Sequence, residues 1–356
     1  MTKAGMTKAS SGNFFEDFRL GQEIRHATPR TVTHGDVALY TGLYGPRFAI
    51  QSSDAFARAV GLPAAPVDDL LVFHIVFGKT VPDISLNAVA NLGYAGCRFG
   101  ARVFPGDTLS ATSRVIGLRE NANRKTGIVH VRSTGLNQDG ATVVDYIRWV
   151  MVRKRDPEAP APEAVAPELE EAVAAEDLQV PEGLDLSAYD TGLAGAPHLW
   201  DDYQAGETID HVDGITVEEA EHMMATRLYQ NTARVHFNQH AAKEGRFGRR
   251  IVYGGHIMSL ARTLSFNGLA NACFIAAING GRHLAPTFAG DTVYAWTEVL
   301  DKIALAGRSD IGALRLRTVA TKDHPCPDFP LKGEDGKDHP QVVLALDYTV
   351  LMKRRG

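Results

Sequence analysis

The hydrophobic and polar positions of the chain form two patterns that recur along its length. Two stretches, 69–78 (DLLVFHIVFG) and 255–266 (GHIMSLARTLSF), are apolar on most faces of a helix and predict two buried helices. Each is followed by segments rich in Val, Ile, Thr and Arg, such as 291–303, which alternate as half-buried antiparallel strands do. One apolar helix with an antiparallel sheet in each half predicts an α+β fold, in which the sheet wraps the helix.

The chain also repeats itself at a nearly constant distance. FFEDFRLGQEI at 14–24 matches LWDDYQAGETI at 199–209, and the two segments are 185 residues apart. Two further pairs of segments match in the same order, with offsets of 185 and 184: 41–45 with 226–230, and 102–109 with 286–293. Several matches in one order at one offset indicate a tandem duplication.

The duplication predicts an N-terminal repeat at 14–155 and a C-terminal repeat at 199–356. Between them, residues 156–198 are rich in Pro, Ala and Glu, so we interpret them as a linker with little to bury and one short helix near 168–177. A polar insert at 322–341 predicts a surface loop between the last two strands.

Composition narrows the class of protein. The 356 residues carry a net charge of −5, which gives no electrostatic footprint for nucleic acid. No run approaches the ~18 apolar residues of a membrane span. The polar N-terminus, MTKAGMTKASSGN, lacks the apolar core of a secretory signal, and we interpret it as a disordered leader. Cys97, Cys273 and Cys326 are scattered and form no CxxC, which argues against disulfides and thiolate metal sites and favours the cytoplasm.

Several motifs support a family resemblance. They are the opening FFEDFRLGQ, the GDT turns, SSDAFARAVGLPAAPVDDLLV at 52–72, and above all the segment at 228–262, which contains LYQNTARVHFNQH and RIVYGGHIMSLAR. With these motifs each copy resembles the hot-dog fold of MaoC-like enoyl-CoA hydratases, and the chain from about 14 to 356 resembles a double hot-dog. The resemblance implies two antiparallel sheets, each wrapping a central helix, and reversible hydration of an enoyl-CoA thioester.

The resemblance also implies a set of site residues. The family's catalytic segment has the form Asp-x-Asn-Pro-x-His, and His236 occupies the position of its histidine. Eighteen residues later stands Gly254, followed by Gly255, and the backbone N–H groups there are the implied oxyanion hole. The family's aspartate is replaced by Asn231, which can orient water or a ring but cannot take a proton.

The N-terminal copy departs further from the family pattern. Gln51 occupies the histidine position and Pro46 the aspartate position, both 185 residues before their counterparts. We therefore expect only the C-terminal repeat to carry the catalytic groups.

Acid–base chemistry explains why these residue types suit hydration of a conjugated thioester. Histidine titrates near physiological pH, so His236 can remove a proton from water and return it to carbon. Amides at a helix N-terminus stabilise charge on the thioester oxygen. Taken alone, His236 would favour a structural role, and only its repeat position, the 18-residue spacing and the glycine pair favour catalysis; Asn231 could instead be a loop cap. The alternative functions are a hot-dog acyl-CoA thioesterase, a non-catalytic acyl-CoA-binding protein, and a hydratase of another acyl chain.

The full length is more closely similar to members of the family that act on mesaconyl-CoA, whose second carboxylate calls for a guanidinium. Arg234, two residues from His236, is the first candidate, although a surface ion pair would explain it as well. Arg249 and Arg250 come next, and we also expect Tyr253 to contact the substrate.

The missing catalytic carboxylate has two candidate substitutes. We hypothesise that Asp68 or Asp69, from the first copy, faces the site of the second copy and assists there. Both could instead simply cap the first apolar helix.

No metal or redox cofactor is expected, because the sequence has no cluster of ligands and no Gly-rich nucleotide fingerprint. CoA would arrive only as part of the substrate. Two copies in one chain supply what a hot-dog dimer would, so a monomer and a homo-oligomer both stay open. We predict that His74 is a buried, hydrogen-bonded core residue and that His240 and His256 are structural.

Overall fold

The computed structural model describes residues 8–355, so most of the predicted leader lies outside the described residues. Over this range, ten antiparallel strands form a single sheet. The strands are β1 (Glu23–Thr31), β2 (Ala88–Phe99), β3 (Thr108–Glu120), β4 (Thr126–Leu136), β5 (Thr142–Arg153), β6 (Thr208–Thr216), β7 (Ala272–His283), β8 (Thr292–Ala304), β9 (Ile311–Lys322) and β10 (Val342–Lys353). Within these residues, no helix combines the length and the hydrophobicity needed to cross a membrane.

The strand order shows the duplication directly. It runs β1-β3-β4-β5-β2-β7-β10-β9-β8-β6, so reading inward from either edge gives equivalent strands in the same order. The two halves join where β2 pairs with β7, in a register that places Tyr94 opposite Gly281 and Arg98 opposite Ala277. The expected α+β arrangement is therefore present, and the two expected half-sheets form one continuous sheet.

Ten α-helices and four 3₁₀ turns of the described chain accompany the sheet. The helices are α1 (His34–Tyr44), α2 (Ala49–Ser52), α3 (Asp54–Ala59), α4 (Asp69–Ile84), α5 (Thr191–Ala194), α6 (Glu219–Leu228), α7 (Arg234–Phe237), α8 (Gln239–Lys243), α9 (Gly254–Leu264) and α10 (Phe266–Leu269). The 3₁₀ turns span Phe15–Asp17, Ala175–Asp177, Leu186–Ala188 and Trp200–Asp202.

The two predicted apolar helices are α4 and α9, and each is wrapped by its half of the sheet. Every residue of α4 is buried except Pro82 and Asp83. The helix continues six residues beyond the predicted end at Gly78. Gly78 serves close packing rather than termination, because a Cβ there would lie 1.8 Å from the carbonyl oxygen of Tyr229.

The segment between the copies is not the loosely packed linker that its composition predicts. Val173, Leu178, Leu184, Leu186 and Tyr189 are buried and pack with α3 and β7 in one hydrophobic cluster. The helix expected near 168–177 is a single 3₁₀ turn at its end. A few well-spaced apolar side chains therefore hold the segment on the domain, although its average hydrophobicity is low.

The predicted loop between the last two strands lies between β9 and β10. Its buried Cys326 packs with Trp296 of β8. The indole N–H of Trp296 donates to the carbonyl oxygen of Pro330 at 3.0 Å, which fastens the loop to the sheet.

Candidate functional site

A cavity of about 310 Å³ lies between the two copies. The first copy contributes the C-terminal half of α4, the start of β2 and one side chain of β5. The second copy contributes the segment before α9 and the end of β7. Its polar side chains include Asn91, Tyr94 and Arg148 from the first copy and Asn231, His236 and His283 from the second.

His236 lies on the short helix α7, is half-buried and lines this cavity. Its Nδ1 is 3.0 Å from the carbonyl oxygen of Ile251. Because a carbonyl only accepts, the neutral ring carries its proton on Nδ1 and leaves Nε2 as an acceptor. Burial lowers the pKa of His236 to about 4, so the ring is neutral near pH 7.

Asn231 is buried beside the cavity and is already engaged by the backbone. Its Oδ1 accepts the amide of Ala233 at 3.0 Å, which is the loop-capping role considered from the sequence. In the described part of the chain, Nδ2 has no hydrogen-bond partner. Asn231 therefore retains donors that can orient a ligand oxygen.

Helix α9 begins at the glycine pair, and no side chain caps it. Amides in the first turn of a helix lack intrahelical acceptors, so they are available to an oxyanion. Gly254 lines the cavity, whereas Gly255 is buried behind it. Both positions need glycine: a Cβ at Gly254 would lie 2.4 Å from Cε1 of His283, and one at Gly255 would lie 2.5 Å from Cε1 of His74.

His283, at the end of β7, was not identified from the sequence. Its Nε2 is 3.3 Å from the hydroxyl oxygen of Tyr94. Burial, assisted by the neighbouring His236, lowers the pKa of His283 to about 4. The first copy has Phe99 at the equivalent position, so a comparison of the two repeats does not indicate a functional histidine there. No local motif surrounds His283 either.

The three arginines predicted to bind a carboxylate do not line the cavity. Arg234 is exposed, because residues two apart on a helix do not share a face and His236 points inward. The guanidinium of Arg249 stacks on Phe288, 3.9 Å from the ring centroid. Arg250 donates to a glutamate of α6. Of the predicted substrate contacts, only Tyr253 lines the cavity.

The structure does not place the hypothesised assisting carboxylate of the first copy at this cavity. Asp68 is the N-cap of α4, and its Oδ1 accepts the amide of Leu70 at 2.9 Å. Asp69 forms an ion pair of 2.6 Å with Arg102 and accepts the amide of Ile275 at 2.8 Å. Neither aspartate lines the cavity that holds His236.

Asp69 belongs instead to the equivalent site of the first copy, which is closed. The replacements there are Gln51 for His236, Asp69 for Gly254 and Phe99 for His283. The Asp69–Arg102 pair leaves a cavity of about 10 Å³, against about 310 Å³ at the other site. The side-chain amide of Gln51 donates to the carbonyl oxygen of Cys273 at 2.6 Å. The first copy therefore provides packing where the second provides open space.

A second cavity, of about 590 Å³, also has Asn231 in its wall. Lys79 and Arg227 line it, so its charged groups are cationic. The ammonium of Lys79 donates to the carbonyl oxygen of Thr28, and burial lowers its pKa to about 8.

Two wrapped helices, one continuous sheet and a site between the copies define a MaoC-like double hot-dog protein. A solved MaoC domain dehydratase from Chloroflexus aurantiacus superimposes with a TM-score of 0.96 at 69% identity, covering 98% of this chain and 100% of that chain. A double-hotdog protein from Mycobacterium tuberculosis superimposes with a TM-score of 0.76 at 25% identity, covering 97% and 99%.

The chain belongs to the mesaconyl-CoA hydratase family, whose model matches residues 4–331. It is 69% identical to a β-methylmalyl-CoA dehydratase from Chloroflexus aurantiacus, over 98% of this chain and 99% of the relative. It is 62% identical to a mesaconyl-CoA hydratase from Cereibacter sphaeroides, over 98% of this chain and 100% of the relative.

Proposed function

We propose that the protein catalyses the reversible addition of water to mesaconyl-CoA, which gives β-methylmalyl-CoA. The observation that carries the proposal is the hydrogen bond from Nδ1 of His236 to the carbonyl of Ile251, because it leaves a basic Nε2 in the same cavity as Gly254. Family membership and the printed names of two relatives, one for each direction of the reaction, support the choice of substrate.

In the hydration direction, Nε2 of His236 removes a proton from water while the water oxygen bonds to the β-carbon. The π electrons move towards the thioester, and the amide of Gly254 donates to the oxygen that gains negative charge. The imidazolium then returns its proton to the α-carbon, which completes the addition. General acid–base help of this kind contributes ~10²–10⁴ in rate.

His283 is the second imidazole at the same cavity. When the hydroxyl of Tyr94 donates to its Nε2, the neutral ring carries its proton on Nδ1. The site then combines a proton acceptor, Nε2 of His236, with a hydrogen-bond donor, the Nδ1–H of His283, which can orient water or substrate while His236 carries the proton.

The CoA portion needs more room than the acyl cavity provides. The second cavity adjoins it at Asn231 and is lined by Lys79 and Arg227, whose charge suits the anionic groups of CoA. We propose that CoA enters only as part of the substrate and that protein groups supply all of the chemistry, with no separate cofactor. The three cysteines are free and buried, which supports the predicted cytoplasmic location.

The test is a panel of enoyl-CoA esters with and without a β-carboxylate, assayed by the loss of enoyl-thioester absorbance. Hydration of mesaconyl-CoA, with no release of free thiol, would support the proposal. Release of thiol would instead indicate a thioesterase, and binding without turnover would indicate an acyl-CoA-binding protein. Faster hydration of esters that lack the carboxylate would reassign the substrate.

A further inference from the structure

Arg148 is a fully buried arginine that has no acidic partner among the described residues. It lies on β5 of the first copy, opposite Tyr94 of β2, and its relative exposure is 0%. Its Nη2 donates to the hydroxyl of Thr80 at 2.8 Å, and its Nη1 donates to that of Ser85 at 3.3 Å. Its Nε has no hydrogen-bond partner within residues 8–355.

Burying such a cation is costly, because charges in protein interiors are normally paired. The groups around Arg148 are neutral: the Phe77 ring, whose centroid lies 4.3 Å from Cζ, and tyrosines that include Tyr94 and Tyr146. No aspartate or glutamate of the described chain forms an ion pair with it. A guanidinium stays protonated even when burial lowers its pKa, so this positive charge lacks a counter-ion.

The unpaired guanidinium shares the cavity with the two imidazoles. Tyr94 connects them, because it lies opposite Arg148 in the sheet and its hydroxyl is 3.3 Å from His283. Asn91 lines the same cavity, and both polar atoms of its amide are buried without a partner in the part of the chain that the structure describes. The described residues that line the cavity include Arg148 and no aspartate or glutamate, so the cavity is suited to an anion.

The other copy has no such charge. Arg148 corresponds to Tyr348, because each lies at the same place in the last strand of its repeat, opposite Tyr94 in one copy and Ile278 in the other. The hydroxyl of Tyr348 is 3.0 Å from that of Thr318, so that position forms a neutral buried pair. The charge at this strand position is thus present in the first copy alone, and there it lines the open cavity.

We propose that Arg148, with Asn91 beside it, binds the free carboxylate of the acyl chain and sets the preference for thioesters of dicarboxylic acids. This assignment rests on the proposed function and replaces Arg234 as the carboxylate-binding residue. In β-methylmalyl-CoA the carboxylate is attached to the carbon that bears the hydroxyl. With the thioester oxygen at Gly254 and the carboxylate at Arg148, that carbon is held next to the imidazoles.

The test compares wild type with Arg148→Met and Arg148→Lys on mesaconyl-CoA and crotonyl-CoA. Crotonyl-CoA has a conjugated double bond at the same position, but it has a methyl group in place of the carboxylate and no methyl group on the α-carbon. Truncating one partner of a buried charge pair costs about 2–5 kcal/mol, so the ratio of kcat/KM for the two substrates should fall about 30-fold or more in Arg148→Met. Arg148→Lys should lie between, because it keeps the charge and loses the bidentate geometry.

A binding measurement separates recognition from catalysis and from folding. Succinyl-CoA and butyryl-CoA have no double bond, and only succinyl-CoA carries a carboxylate. Calorimetry should show that wild type prefers succinyl-CoA and that Arg148→Met has lost this preference, with both proteins first shown to be folded by circular dichroism. Should Arg148→Met not fold, Arg148→Lys and Asn91→Ala provide the same comparison, with a smaller loss of preference.

The outcomes distinguish the two proposals. Wild type that does not hydrate mesaconyl-CoA would overturn the proposed function. Wild type that hydrates it, together with variants whose activity falls equally on mesaconyl-CoA and crotonyl-CoA, would show that Arg148 is structural and would overturn this inference alone.

Discussion

Tyr229 donates a hydrogen bond of 2.7 Å to the hydroxyl of Tyr44, and the two tyrosines are counterparts in the duplication, 185 residues apart. The pair therefore lies where the two copies meet about their pseudo-twofold axis. The hydroxyl of Tyr44 is also 2.7 Å from Nδ1 of His256. A second pair with the same offset, His74 and Ser259, is hydrogen bonded at 3.2 Å. His74 and His256 are both buried and bonded, as predicted.

Replacing either tyrosine should destabilise the junction of the copies. Tyr44→Phe removes the hydroxyl that meets both Tyr229 and His256, and an unsatisfied buried polar group costs about 1–3 kcal/mol. Tyr229→Phe should cost less, because it removes one donor from the end of the chain of hydrogen bonds. Urea unfolding measures both. Tyr294→Phe is the control, since its hydroxyl has no partner in the described residues; a loss as large there would contradict the assignment.

His236→Gln places in the second copy the residue that the first copy has at this position. Without a base at Nε2, kcat for hydration should fall ~10²–10⁴-fold, whereas KM should change much less. Stopped assays of mesaconyl-CoA consumption provide the measurement. His240→Gln changes an exposed histidine in the same segment and should retain wild-type rates. Full turnover by His236→Gln would remove this residue from the mechanism.

Gly254→Ala tests the close approach of the helix start to His283. The added Cβ would lie 2.4 Å from the imidazole, so either the ring or the first turn of α9 must shift. A displaced oxyanion donor costs about 3–4 kcal/mol, and we expect at least a 100-fold loss of kcat/KM. Gly42→Ala is the matched control, because it lies in α1 with open space around it and should raise helix stability by about 1 kcal/mol. Equal activity of the two variants would refute the packing argument.

The histidines whose pKa is lowered in the folded state predict a loss of stability in mild acid. Burial lowers the pKa of His74 and His256 to about 3, and that of His236 and His283 to about 4. Because the unfolded chain binds these protons near pH 6.5, it holds more protons than the folded chain below that pH. The contribution of these histidines to the free energy of unfolding should therefore have its full value above about pH 6.5. Below that pH the free energy of unfolding should decrease, by up to about 1.4 kcal/mol per pH unit for each histidine.

Asp69 acts in the opposite direction. Burial raises the pKa of its carboxyl to about 6, so the folded state gains protons there as the pH falls. Burial raises the pKa of Asp68 as well, but the histidines with a lowered pKa, which also include His211 at about 4, outnumber these two carboxyls. Urea unfolding at pH 7.5, 6.5 and 5.5 tests the sum, and His256→Gln should reduce the slope by about one proton. Stability that stays constant from pH 7.5 to 5.5 would show that these rings are not buried in neutral form.

Local spacing explains which parts of the site could be predicted. Asn231, His236 and Gly254 lie in one continuous segment, so a motif and an 18-residue spacing suffice to bring them together. His283 and Arg148 reach the cavity from strands that are distant in sequence, one from each copy. Hydrophobic periodicity identifies a strand and its buried face but not its neighbours, so neither residue could be placed beforehand.

The fold was easier to predict from the sequence than the site, because the duplication presents each element twice. The α+β class, both apolar helices and the loop before the last strand could all be predicted from patterning. The segment at 156–198 could not, because a mean composition hides the few positions that pack. Leu186 is one of these, with no exposed surface. Arg234 does not line the cavity, although it lies two residues from His236, for a related reason: proximity along the chain does not determine the direction in which a side chain points.

The pairing of Arg148 with Tyr348 as counterparts has an evolutionary meaning. In an assembly of identical subunits, one gene encodes both halves, so every mutation changes both. A charge introduced at one site would therefore also appear at the other. Fusing the halves into one polypeptide removes that obligation. Positions such as Gln51 and Phe99 can then change under selection for packing alone. Their counterparts 185 and 184 residues later, His236 and His283, stay under selection for the reaction.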